Sequence, residues 1–134
     1  MLQKIVLTAI FLIVTASIAN AEQLKISITS PRNRASVSEK QVIKGKVTDP
    51  DAEVWVIIHP MVKNLDDRWV QPKVTVNESG DWKVRAYIGE SGDKGKRFEI
   101  MAIANPDDEL EEGNILYNWP NAEAKSRIIK VRRK

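Results

Sequence analysis

DWKVRAYIG at residues 81–89 and FEIMAIA at residues 98–104 decide the fold, with the polar loop ESGDKGKR between them. In the first run Trp82, Val84, Ala86 and Ile88 alternate with Lys83, Arg85 and Tyr87. In the second, Phe98, Ile100, Ala102 and Ala104 alternate with Glu99, Met101 and Ile103. A period of two sends each set to one face of a strand. The first run has a mostly charged second face and reads as a strand of an outer sheet. The second is apolar on both faces and reads as a central strand.

Working outward, the same pattern recurs at short intervals. Leu24, Ile26 and Ile28 alternate with Lys25, Ser27 and Thr29, and Pro31 breaks that strand because it lacks a ladder donor. QVIKGKV at 41–47 is a second strand, in which Gly45 marks a bulge or a close packing contact. Thr48-Asp49-Pro50-Asp51 supplies turn chemistry before EVWVIIH at 53–59, the most apolar run after the N-terminus and a second candidate for a sheet centre. WVQPKVTV at 69–76 contains Pro72, which pushes it to a sheet edge. Residues 77–81 form a hairpin-type turn, and RIIKVR at 127–132 is a closing strand. The acidic residues after Pro106, from Asp107 to Glu112, suit the first turn of a helix of at most two turns, which Gly113 would stop. Seven strands separated by turn clusters predict a two-sheet antiparallel sandwich. A small β-barrel is the alternative.

The N-terminus points to a compartment. Lys4 precedes an apolar run over residues 5–18, and Ala19-Asn20-Ala21 fits the small-x-small pattern of a signal-peptidase site. The run falls short of the roughly 20 residues a membrane-crossing helix needs. Residues 1–21 are therefore expected to be a cleaved signal peptide and residues 22–134 the mature domain, periplasmic or secreted and not membrane-spanning after processing. No cysteine is present, so disulfides, lipidation at the cleavage site and thiolate metal sites do not arise. The net charge of +3 says little, but its distribution is uneven. An acidic segment lies at 107–112, and residues 125–134 hold Lys125, Arg127, Lys130, Arg132, Arg133 and Lys134 with no acid.

ISITSPRNRASV followed by QVIKGKV, then GDWKV and FEIMAIA, resembles the strands of bacterial immunoglobulin-like domains. The resemblance spans most of residues 24–132 and implies a seven-stranded antiparallel immunoglobulin-like sandwich. It further implies adhesion, scaffolding or ligand display, with no catalytic residues to carry over. The cysteine pair of many such domains is missing, and Tyr87 lies before the loop that precedes the sixth strand.

Chemistry-bearing constellations are sparse. His59 is the only histidine and sits at a strand end beside Pro60, without an evident nucleophile partner. The aspartates at 49, 51, 66, 67, 107 and 108 match no calcium loop, and no phosphate-cradling glycine loop occurs. No cofactor, metal, catalytic residue or nucleic-acid partner is expected. The aromatic residues are the candidates for binding: Trp119 and Tyr117 in the long loop 105–125, then Trp69, Tyr87 and Trp55, with Trp82 assigned to the core. Aromatic rings concentrate energy at protein interfaces and stack on sugars. The expected function is a non-catalytic binding module of the cell envelope with a protein partner, or alternatively a carbohydrate-binding module; the sequence leaves the oligomeric state open. Because Ala19 and Ala21 fit the peptidase, exported protein should begin at Glu22. An intact mass matching that start checks it, and retention of Met1 refutes it.

Overall fold

The computed structural model describes residues 23–134, so the apolar N-terminal run and its cleavage motif lie outside the described residues. All the regular structure described is strand. One sheet holds β1 (Ile26–Ser30), β3 (Lys40–Val47), β7 (Asp81–Tyr87) and β6 (Thr75–Val76), in that spatial order. The other runs β2 (Ser36–Val37), β11 (Ile129–Arg133), β8 (Arg97–Pro106), β4 (Val54–Pro60), β5 (Arg68–Val70) and β9 (Ile115–Leu116), and β10 (Ala122–Lys125) also pairs with β8. Pairings are antiparallel except that β2 lies parallel to β11.

Alternation sets what faces inward. Ile43, Val47, Trp82, Val84 and Ala86 of the first sheet meet Val54, Val56, Ile58, Phe98, Ile100, Ala102 and Val131 of the second in one core. Trp82 stands opposite Gly45, and a Cβ on Gly45 would fall within overlap distance of the indole ring. The glycine is thus a packing contact that makes room for a large ring. Indole Nε1 is buried without an acceptor, which costs about 1–3 kcal/mol. Burying roughly 150–250 Å² of ring returns about 4–6 kcal/mol, so packing wins.

Residues 69–76 make two short strands rather than one. The chain leaves β5 in the second sheet and enters β6 at the edge of the first, with Pro72 at the crossing. Buried Gln71 replaces the lost ladder: its N–H donates to Val56 O (3.0 Å), and its Oε1 accepts from Tyr87 N–H (2.7 Å). The acidic segment after Pro106 forms no helix, because β8 runs through Pro106 itself and bends and turns follow. The C-terminus is also less open than its charge suggests. Arg133 is buried, and its Nη1 donates to Ile88 O (2.7 Å) and Glu90 O (2.8 Å). Nearby, Asp93 is held below the usual carboxylate range, first by its hydrogen bond from Lys96 and then by the Glu90 N–H.

Trp82→Ala should lower stability by about 3–5 kcal/mol, the range for emptying a large aromatic site. Gly45→Ala should also destabilise, because Ser27 O and the Trp82 ring occupy the space of the new methyl group. Urea denaturation measures both, and an unchanged midpoint for either would refute the packing assigned to this pair.

Candidate functional site

Apolar character on both faces of β4 and β8 has a consequence on the outside of the second sheet. Trp55, Ile57, Val70, Met101 and Ile103 face away from the main core and would meet water if left bare. The segment 107–121 covers them. Leu110 is buried among them, and Leu116, Trp119 and Ala122 pack on top, giving a second apolar cluster. Backbone bonds stitch this cover down: Gly113 N–H donates to Val70 O (2.9 Å), Val70 N–H to Asn114 O (3.0 Å), and Asp107 N–H to Asn121 O (2.9 Å). Gly113 takes a left-handed φ of 85°, which suits a residue without a Cβ.

One end of the cover is polar and aromatic together. Arg68 and His59 share the outer face, since β5 and β4 alternate in register through Ile57–Val70 and Ile58–Trp69. The Arg68 guanidinium lies over the Trp119 ring, 4.8 Å from its centroid. Its Nη1 donates to Asp66 O (2.7 Å) and Tyr117 O (3.1 Å), tying loop 61–67 to segment 115–119, while its Nε is buried without a partner. The His59 ring meets Trp119 edge-on, with centroids 6.1 Å apart and planes at 79°. His59 Nδ1 lies 2.8 Å from Asp67 O. A carbonyl only accepts, so Nδ1 carries the proton and Nε2 faces the Glu99 carboxylate at 3.9 Å.

The five aromatic candidates do not gather into one surface. Trp119 is half-buried against the second cluster and braced by Arg68. Beside it, Tyr117 is 67% exposed. Trp55 lies beneath the cover, 6% exposed, with its Nε1 donating to Glu53 Oε1 (3.0 Å). Trp69 is half-buried and turns inward, packing against the main core like its neighbour across the ladder, Ile58. Tyr87 is exposed on the other sheet, opposite Lys40.

Several residues outside the sequence-derived candidate set complete the site. Arg68, His59 and Glu99 brace it, and Ile115, Met61 and Val62 add exposed apolar surface. Their signal was present in part: Met61 and Val62 are apolar residues just after a strand-ending proline, where a solvated turn would be polar. Among the described residues, no three side chains of His, Cys, Asp or Glu converge as a metal site would require. Comparison with family models, curated proteins and solved structures returns no significant match for this chain.

Trp119→Ala should cost less than the about 3–5 kcal/mol of a fully buried tryptophan, yet lower the denaturation midpoint measurably, because it removes half-buried packing and the Arg68 stack. An unchanged midpoint would mean that the cover is held without this ring.

Proposed function

We propose that this chain is an exported immunoglobulin-like sandwich domain that binds a protein partner in the bacterial cell envelope. The observation that carries the binding role is a set of exposed apolar side chains at and beside the braced open edge of the second sheet. Tyr117 and Ile115, the latter 50% exposed, flank Leu116 at the open edge of the second sheet. Met61 and Val62 lie on the loop that Arg68 ties to this same segment. Protein interfaces concentrate their energy in such apolar anchors with charged residues at the rim, and exposed Asp66 and Glu111 lie on the adjoining loops. The edge strand itself is only two residues long, so side chains rather than an added strand would carry recognition.

The strand orders support the immunoglobulin-like reading. β1-β3-β7-β6 corresponds to the ABED sheet of such sandwiches, and β11-β8-β4 to the facing GFC set. The N-terminal apolar run with its Ala-x-Ala motif supports export to the periplasm or beyond. Sugar stacking has weaker support, because Arg68 already occupies a face of Trp119 and Tyr117 is the one open ring at this end.

A photo-crosslinking residue placed at Tyr117 should capture one defined envelope protein in cells. The Tyr117→Ala/Ile115→Ser variant should keep its melting temperature and lose binding to that protein at least tenfold. If the variant folds and binds undiminished, the recognition surface lies elsewhere.

A further inference from the structure

We propose a second binding site, for a phosphate group, in the depression lined by Arg34, Arg97, Lys130 and Arg132 on the β8–β11 side of the second sheet. The depression is about 520 Å³, and its remaining lining residue is Val131, so no carboxylate contributes to it. Three guanidinium groups and an ammonium in one concavity match a multiply charged oxyanion, since arginine offers paired donors in a plane that fits phosphate.

Two features cost local stability in assembling this set, and a third holds it in place. Arg97 stands directly opposite Arg132 in the antiparallel β8–β11 ladder, where like charges repel. Arg34 adopts a left-handed φ of 71°, a conformation uncommon for residues with a side chain. That backbone is pinned in place: Arg34 N–H donates to Lys130 O (2.6 Å), Lys130 N–H to Asn33 Oδ1 (2.8 Å), and Arg132 N–H to Ala35 O (3.0 Å). The turn at 33–35 is thereby fixed beside β11, bringing a third guanidinium to the pair.

The nearest acid in the ladder does not neutralise the set. Glu99 stands opposite Lys130, but its carboxylate turns toward His59 and is absent from the lining. A second basic surface differs in this respect. On the outer face of the first sheet, Asp81 pairs with Lys46 at 3.9 Å, and Glu112 lies among the lysines beside Lys44 and Lys83. Of the two surfaces, the arginine depression is the one lined by cations without an acid. A phosphate monoester or diphosphate, free or as a lipid headgroup, has the chemistry it fits.

The test uses the full chain with inorganic pyrophosphate as probe and sodium chloride at matched ionic strength as control. Pyrophosphate should raise the melting temperature of the wild-type protein and of Lys83→Gln, a control of equal charge change. In Arg97→Gln and Arg132→Gln the apparent affinity should fall at least tenfold, while the melting temperature without anion stays equal or rises because the repulsion is gone. Chloride acting as well as pyrophosphate, or Lys83→Gln losing as much as the arginine variants, would overturn the site. Flotation with phosphatidic acid vesicles against phosphatidylcholine vesicles separates the two sources. Arginine-dependent flotation supports the site with a lipid headgroup as ligand, and pyrophosphate binding without it supports the site with a free phosphorylated ligand. Comparing wild type with the arginine variants removes any contribution of the N-terminal apolar run.

Discussion

A strand that is apolar on both faces must be covered twice, and that constraint organises this molecule. β4 is buried along nearly its whole length, and Met101, Ala102, Ile103 and Ala104 of β8 are buried in succession. The first sheet covers one face of this pair and makes the main core. Nothing in a two-sheet design covers the other. The long segment between β8 and β10 does so, and its apolar residues Leu110, Leu116 and Trp119 are those the uncovered face requires. At about 25 cal/mol per Å² of apolar area, leaving several such side chains wet would cost a large fraction of a domain's net stability of about 5–15 kcal/mol. The cover is therefore part of the fold, and the surface it presents is held by the fold.

That origin separates the residues of the candidate site into two kinds. Trp119, Arg68 and His59 are structural at one end and surface at the other: the indole packs down, the guanidinium stacks on it, and the imidazole meets its edge. Tyr117 and Ile115 contribute little to the interior and stand in solvent. Such a division suits recognition. Anchors on a braced platform lose less conformational freedom on binding than anchors on a mobile loop, so more of the contact energy remains as affinity.

The strands around residues 82–88 and 98–104 were legible because period two survives any tertiary context that buries one face. The central placement of β4 and β8 was legible for a related reason, since only a sheet centre tolerates apolar residues on both sides. Three features were not legible. The run 69–76 satisfies strand patterning throughout, and only the three-dimensional path shows Gln71 and Pro72 carrying the chain from one sheet to the other. The acidic segment resembles a helix start, yet Leu110 and Leu116 are drawn onto the second sheet, and hydrophobic docking overrides a weak local preference. Basic residues 130–134 look alike in sequence, but alternation buries Arg133 under two carbonyls and turns Lys130 and Arg132 to the surface. For the site, Trp119 and Tyr117 were readable as neighbours in one loop. Their union with Arg68 and His59 depends on pairing of β5 with β9, a contact between distant segments that no local pattern announces.

Departures from local rules fall on both sheets. Around β3 and β7 alternation is largely regular: Ile43, Val47, Trp82, Val84 and Ala86 turn inward, and the one glycine in the ladder makes room for Trp82. On the first sheet Lys44 faces Lys83, Tyr87 is exposed and Trp82 Nε1 is buried without a partner; on the second Arg97 faces Arg132, Tyr117 and Ile115 are exposed and Arg68 Nε is buried without a partner. Strand order places the apolar exceptions beyond β5 and the charged ones across β8, with His59 and Glu99 opposite each other between them. Selection for stability alone would have removed both kinds of exception with single substitutions. What distinguishes the second sheet is that its exceptions are held in place, Tyr117 by the Arg68 bond to its carbonyl and the Arg97–Arg132 pair by the pinned turn at 33–35.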